Sequence, residues 1–185
     1  MAGVQGGVWR ERGSPDAVAV GTMALVPQVV DAVRAPVVAA GGIADGRGLA
    51  AALALGAAGV LLGTRFVATR ESAAPEFWKK SLLEREADTT TLTRAFTGLW
   101  ARGLANAFSR EYEAARAPVL PPLLQRAAAQ DIYQASVKAR TGDYYPMWAG
   151  HSVGLIRDLP GAAEVLERIV AEARAALRRL EEVTR

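Results

Sequence analysis

Two short apolar runs in the first third of the chain are each followed directly by glycine. The runs are residues 36–40 and 59–62, and both are rich in valine, leucine or alanine. Short runs that are apolar at nearly every position are typical of strands buried on both faces of a parallel sheet. The Leu- and Ala-rich segment between them, about residues 46–55, predicts a helix that Asp45 caps and Gly56 ends. The pattern therefore predicts a βαβ unit with a right-handed crossover.

The flanking segments predict further helices and one more strand. Valines spaced three and four apart predict a helix over about residues 23–34, with Thr22 as its cap. Another parallel strand is expected near the N-terminus. Beyond residue 73 the pattern predicts helices alone, near residues 75–86, 90–110, 121–139 and 160–183. We therefore expect an α/β fold, with a partial β/α barrel in residues 1–73 and a mostly helical region in residues 74–185 that packs on it.

Composition narrows the chemistry that this chain can perform. Its 185 residues include no cysteine and a single histidine, His151, so disulfides, thiolate catalysis and histidine-rich metal sites are excluded and no metal is expected. The net charge is +3, and the basic residues are scattered among acidic ones, which argues against a nucleic-acid partner. The sequence contains no long uncharged apolar stretch and no signal-peptide pattern, so we expect a cytoplasmic protein without a membrane partner.

The glycines after the two predicted strands form a candidate phosphate site. Gly41 and Gly42 follow the first strand, and Gly63 and Thr64 follow the second. Glycine lets backbone amides approach a ligand closely, and amides at strand ends and helix starts attract anions. In β/α barrels, a phosphate site is frequently built from the loops after the last two strands. The sequence has neither a Gly-x-Gly-x-x-Gly nor a Gly-Lys-Ser/Thr motif, which disfavours a dinucleotide fold or a P-loop.

Two stretches of the sequence resemble one family of enzymes. Residues 35–79, "APVVAAGGIADGRGLAAALALGAAGVLLGTRFVATRESAAPEFWK", and residues 144–170, "YYPMWAGHSVGLIRDLPGAAEVLERIV", are similar to the C-terminal half of nitronate monooxygenases, also called 2-nitropropane dioxygenases. The resemblance implies a TIM barrel with a helical region and FMN as the cofactor. It implies that Gly41, Gly42, Gly63 and Thr64 hold the FMN phosphate. It also implies oxidation of alkyl nitronates by O₂ to a carbonyl compound and nitrite.

The sequence departs from the family at two candidate site positions. The family's catalytic histidine lies in a Gly-Gly-His motif, and the matching residues here are Gly6, Gly7 and Val8. Gly7 is expected to contact the flavin, but Val8 cannot act as a base. Gly150 and His151 stand where the family has Gly-Gln close to the flavin, so both are expected to bind the cofactor. Whether His151 forms hydrogen bonds or substitutes for the base is left open, and the catalytic residue is not identified.

The length of the chain bears on its activity. A full barrel takes about 250 residues, so we expect a truncated form with little activity alone, completed by a homo-oligomer or by a complementing chain. The expected small-molecule partners are a nitronate and O₂. Two alternatives stay open. One is a relative of the flavin-dependent enoyl-acyl-carrier-protein reductases, which would use a nicotinamide donor. The other is a non-catalytic flavin-binding fragment.

Overall fold

The structure is a computed structural model that describes residues 2–5 and 20–184, and the chain divides into two compact units. Of the described residues, the first unit holds 2–5, 20–72 and 155–184, and the second holds 73–154. The strands are β1 (Ala2–Gln5), β2 (Val37–Ala40), β3 (Gly59–Leu61), β4 (Thr90–Thr93) and β5 (Ala101–Leu104). The α-helices are α1 (Thr22–Ala32), α2 (Gly46–Ala54), α3 (Thr64–Val67), α4 (Glu76–Glu84), α5 (Ala107–Ala114), α6 (Pro122–Ala128), α7 (Gln130–Ala139) and α8 (Ala162–Val183).

The first unit is built on a parallel sheet whose described strands have the order β1-β2-β3. Strands β2 and β3 are joined through α2, which confirms the predicted βαβ unit, and β1 confirms the expected strand near the N-terminus. Apolar residues of α1, β2, α2 and the adjoining loops form one buried cluster: Val26, Val37, Ala39, Ile43, Ala52 and Ala57. Because Ala40 pairs with Leu61 in the register, the glycines after β2 and β3 leave the sheet at the same edge.

Helix α8 completes the first unit by packing along α2. Its buried residues Val165, Ile169 and Ala173 are spaced four apart, as an amphipathic helix requires. The backbone of α8 comes so close to Gly46, the first residue of α2, that a Cβ there would overlap Ala173 and Glu172. The prediction that residues 74–185 form one region is therefore wrong, because residues 155–184 group with the parallel sheet.

The second unit contains an antiparallel hairpin that the sequence pattern did not predict. Strands β4 and β5 pair from Thr90 opposite Leu104 to Thr93 opposite Ala101. The predicted helix over residues 90–110 is wrong, since Gly98 takes a φ of +79° in the turn and only α5, capped by Asn106, is helical there. Threonines in β4 favour an extended backbone, and Gly98 has the left-handed conformation that ends a helix.

An aromatic cluster forms the core of the second unit. Phe96 is buried and stacks on Phe108 at 5.2 Å between ring centroids, and Trp148 meets it edge-on at 5.5 Å. The hydroxyl of the buried Tyr133 donates a hydrogen bond to the carbonyl of Phe96 at 3.0 Å.

Helices α4, α6 and α7 lie within the predicted helical segments. Among the described helices, none combines the length and the apolar character that crossing a membrane requires.

Candidate functional site

The loop after β2 has a backbone conformation that glycine adopts without strain. Gly41 and Gly42 have φ values of +97° and +75°, in the left-handed region where side chains are disfavoured. Gly42 is exposed, and a Cβ added to it would meet no atom within 4 Å. Thr22 holds the loop from α1, because its hydroxyl donates a hydrogen bond to the carbonyl of Gly41 at 2.8 Å. Thr22 is therefore not the helix cap that the sequence predicted, since α1 starts at Thr22 and its cap position is Gly21.

The loop after β3 presents a second open glycine. Gly63 is exposed, has an ordinary φ of −82°, and a Cβ on it would also meet no atom within 4 Å. Its carbonyl accepts hydrogen bonds from the amides of Phe66 and Val67, both at 3.0 Å, which shapes the short turn that begins at Thr64. Free space in front of Gly63, as in front of Gly42, leaves room for a ligand group at the same sheet edge.

Unpaired amides lie in both of these glycine loops. In the part of the chain that the structure describes, the amide nitrogens of Gly42, Ile43 and Gly63 donate a hydrogen bond to no other residue. Phosphate oxygens are well suited to groups of backbone amides that have no acceptor within the protein. We call Gly41–Ile43 together with Gly63–Thr64 the glycine cradle. It brings together four of the residues that the sequence singled out for phosphate binding.

The start of α2, between the two glycine loops, already has its own acceptors. The side chain of Asp45 accepts hydrogen bonds from the amides of Arg47 and Gly48 at 3.0 and 3.3 Å, as predicted for the cap. A carboxylate oxygen of Glu172 accepts one from the amide of Gly46 at 2.9 Å. Burial raises the pKa of Asp45, but the hydrogen bonds from Arg47 and Gly48 outweigh it and leave that pKa below its usual value. An incoming anion would therefore find its donors in the glycine cradle rather than at the start of α2.

Gly150 and His151 belong to the second unit, where they follow a segment that pairs with β5. The amide of Leu104 donates to the carbonyl of Met147 at 2.9 Å, and the amide of Ala149 donates to the carbonyl of Arg102 at 3.3 Å. His151 is exposed and begins a short 3₁₀ turn, His151–Leu155. Partial burial, with the positive charge of Arg102 as the second cause, lowers the pKa of His151 below its usual 6.5. Gly7 and Val8 lie outside the described residues.

Sequence reasoning missed Arg65, which directly follows the glycine cradle. Its side chain is buried, with 6% of its surface exposed, and it pairs with Asp158, 93 residues later in the chain. A fully ionised guanidinium is rarely buried without such a partner. The signal available in the sequence was an arginine inside an apolar stretch, which indicates burial but does not name the partner.

Residues 2–172 match the model of the nitronate monooxygenase family. A probable nitronate monooxygenase of Staphylococcus aureus strain Newman is 36% identical over 151 residues, which cover 82% of this chain and 42% of that protein. One from Staphylococcus saprophyticus is 33% identical over 178 residues, which cover 96% of this chain and 50% of that protein. The chain thus spans about half the length of these curated relatives.

Solved structures give a similar result. A nitroalkane oxidase from Streptomyces ansochromogenes superposes with a TM-score of 0.86 and 38% identity, covering 96% of this chain and 52% of that chain. FabK from Thermotoga maritima superposes with a TM-score of 0.75 and 34% identity, covering 89% of this chain and 52% of that chain. Since the family match extends over most of its length, the chain belongs to the nitronate monooxygenase family of flavin-dependent oxidoreductases.

Proposed function

We propose that this chain supplies the phosphate-binding part of an FMN-dependent oxidoreductase that oxidises alkyl nitronates with O₂ to a carbonyl compound and nitrite. The observation that carries the proposal is the glycine cradle. Its exposed glycines Gly42 and Gly63 face open space at one edge of a parallel sheet, and amides of both loops have no acceptor among the described residues. Loops at the carboxyl ends of parallel strands are a common place for phosphate groups.

The cradle fits a phosphate through neutral donors. Amides of Gly42, Ile43 and Gly63 are available to phosphate oxygens, and Thr64 has a hydroxyl that we assign as a further donor. The nearby cation Arg65 is already bound to Asp158 at 2.9 Å. Recognition of the phosphate would therefore rest on preorganised backbone dipoles, which require no rearrangement when the anion arrives.

FMN held there would supply the redox chemistry that no amino-acid side chain provides. We propose that the parallel sheet of the first unit is part of a β/α barrel, as its βαβ connection and the length of the relatives suggest. We also propose that Gly150 and the imidazole of His151 form hydrogen bonds to flavin or substrate. With its lowered pKa, His151 is mostly uncharged near pH 7 and can donate and accept as an amide does.

A second candidate function is the reduction of an enoyl thioester by a nicotinamide donor. The observation that favours it is the similarity to FabK at 34% identity. The two functions separate by their co-substrates. Oxidation of a nitronate without added NAD(P)H supports the first, whereas NADH-dependent reduction of a crotonyl thioester supports the second.

The cradle is tested by replacing Gly63 with alanine. The φ of Gly63 suits alanine and its Cβ would meet no protein atom, so the fold should tolerate the change, while the new methyl group occupies the space proposed for the phosphate. We expect Gly63→Ala to weaken FMN binding by about tenfold or more, which is about 1.4 kcal/mol or more. Titration of FMN against the protein, followed by quenching of flavin fluorescence, measures the change.

Gly59→Ala is the matched control for this experiment. Gly59 lies at the opposite end of β3, and a Cβ on it would also meet no atom within 4 Å. Its FMN affinity should equal that of the wild-type chain. If Gly63→Ala also binds FMN with wild-type affinity, the phosphate does not lie in the cradle and the proposal is wrong.

A further inference from the structure

The buried guanidinium of Arg65 ties the loop after β3 to a distant segment of the same unit. Its Nη1 donates to Oδ1 of Asp158 at 2.9 Å. Its Nη2 donates to the backbone carbonyl of Asp158 at 2.8 Å and to that of Ala68 at 2.7 Å. Since three hydrogen bonds hold one planar group, the position of Arg65, and with it that of the preceding Thr64, is closely defined.

Two further contacts strengthen the same junction. The amide of Arg70 donates to the carbonyl of Pro160 at 3.0 Å, and the amide of Ala162 donates to a carboxylate oxygen of Glu71 at 2.9 Å. Helix α3 contains only four residues, too few to be stable without tertiary support. The geometry of this loop therefore depends on the segment that leads into α8.

Helix α8 also contacts Gly46, the residue at which the loop after β2 gives way to α2. Glu172, half-buried on α8, accepts a hydrogen bond from the amide of Gly46, the residue with which α2 begins. Gly46 lies four residues after Gly42, and the loop between them contains the buried Ile43 and Ala44. A shift of α8 at Glu172 would therefore move the start of α2 and the glycine loop attached to it.

We infer that Asp158 and Glu172 are positioning residues of the glycine cradle, one for each half. Asp158 acts through Arg65 on the loop after β3, and Glu172 acts through Gly46 on the loop after β2. Neither carboxylate is proposed to touch the phosphate. Their role is to hold two loops from neighbouring strands in fixed positions beside each other, and this inference rests on the proposed function.

The ion pair of Asp158 is maintained by a second arginine. Arg168, which lies on α8, donates hydrogen bonds to Oδ2 of Asp158 at 2.5 Å and to Oε1 of Glu164 at 2.7 Å. Burial raises the pKa of Asp158, but the hydrogen bonds from Arg168 and Arg65 outweigh it and keep that pKa below its usual value. Asp158 therefore stays ionised at neutral pH, as its pairing with the buried Arg65 requires.

The test compares the binding of FMN with that of riboflavin, which has the same ring but no phosphate. A positioning role predicts that Asp158→Asn and Glu172→Ala each reduce the preference for FMN over riboflavin by about tenfold, because Asp158→Asn leaves the buried Arg65 without its counter-charge and Glu172→Ala removes the acceptor of the Gly46 amide. A general loss of stability would instead weaken both flavins equally. Glu172→Gln keeps an acceptor oxygen for Gly46 and should restore most of the preference.

Glu167→Ala is the matched control on the same helix. Glu167 is exposed, and its side chain makes no hydrogen bond or ion pair with any of the described residues. Its flavin preference should equal that of the wild-type chain. Asp158→Asn could prevent folding because it leaves the buried Arg65 without its counter-charge. Glu172→Ala leaves no buried arginine unpaired, so this variant alone is sufficient to test the inference.

The outcomes separate this inference from the proposed function. If the wild-type chain prefers FMN to riboflavin and both variants keep that preference, the positioning role is wrong, while the proposal that the glycine cradle binds the FMN phosphate is supported. If the wild-type chain binds the two flavins equally, or binds neither, the phosphate cradle itself is wrong and the positioning role falls with it.

Discussion

At the scale of single residues, the lone histidine is the most direct probe of the second unit. Arg102 lies half-buried beside it, with Nη1 donating to the hydroxyl of Thr90 at 3.1 Å. Burial lowers the pKa of His151, and the positive charge of Arg102 lowers it further. Because the unfolded chain takes up this proton more readily, the free energy of unfolding should fall as the pH drops from 6.5 toward the lowered pKa.

We predict that His151 titrates below 6.5, and that Arg102→Gln moves its pKa upward by removing a nearby positive charge. The NMR signal of the imidazole gives the pKa directly, since the chain has one histidine. Lys138→Gln, at an exposed cation of α7, changes the net charge equally and should leave the titration unchanged. A pKa at or above 6.5 in the wild-type chain would contradict the neutral imidazole proposed for this position.

At the scale of secondary-structure elements, the close contact between α2 and α8 depends on the absence of a side chain at Gly46. A Cβ on Gly46 would overlap the backbone of Ala173 and the side chain of Glu172, and it would lie 2.5 Å from the carbonyl oxygen of Ile169. Backbone atoms cannot move aside as a flexible side chain does. The two helices can therefore approach this closely only with glycine at residue 46.

We predict that Gly46→Ala lowers the free energy of unfolding by about 1–3 kcal/mol, although alanine favours a helix more than glycine does. Urea unfolding followed by circular dichroism measures this change. Gly48→Ala, in the same helix, first meets a side-chain methyl of Ile43 at 2.9 Å, which can shift, so its effect should be smaller. Equal stability of the Gly46→Ala and wild-type proteins would mean that α8 does not pack on α2 as described.

The sequence pattern predicted those elements whose cause lies in neighbouring residues. The strands around α2 were predictable because glycine ends short apolar runs, and α8 because its apolar face repeats every three or four residues. The hairpin of β4 and β5 was not, since strand pairing depends on partners that a local pattern does not specify. The same limit explains why Arg65 and Asp158, 93 residues apart, were not recognised as a pair.

At the scale of the whole molecule, the extent of the parallel sheet limits the expected activity. Its described strands are three, with β1 and β3 on the outside, whereas a β/α barrel has about eight. The chain also spans about half of its curated relatives, at 42% and 50% of their lengths. A flavin ring without the strands of a complete barrel around it would be poorly positioned, and positioning accounts for much of catalysis.

We predict that this chain alone, loaded with FMN, oxidises a pre-formed alkyl nitronate at least about a hundredfold more slowly than a full-length family member does. Oxygen uptake per bound flavin is the measurement, with free FMN at the same concentration as the background. A pre-formed nitronate needs no general base, so a slow rate would reflect positioning rather than the valine at residue 8. Turnover equal to that of the full-length enzyme would overturn the partial-barrel proposal.

The hydrogen bond between Gly46 and Glu172 also bears on when the glycine cradle can form while the chain is being synthesised. Its partners are 126 residues apart, and residues 73–154 of the second unit lie between them in the sequence. At about 5–20 residues per second, a ribosome would add Glu172 roughly 6–25 s after Gly46. Until Glu172 is added, α8 is incomplete and the glycine loops lack at least one of the two carboxylates proposed to position them, although residues 73–154 have already been synthesised. High contact order thus makes the cradle a late product of folding, and flavin capture should follow the synthesis of α8.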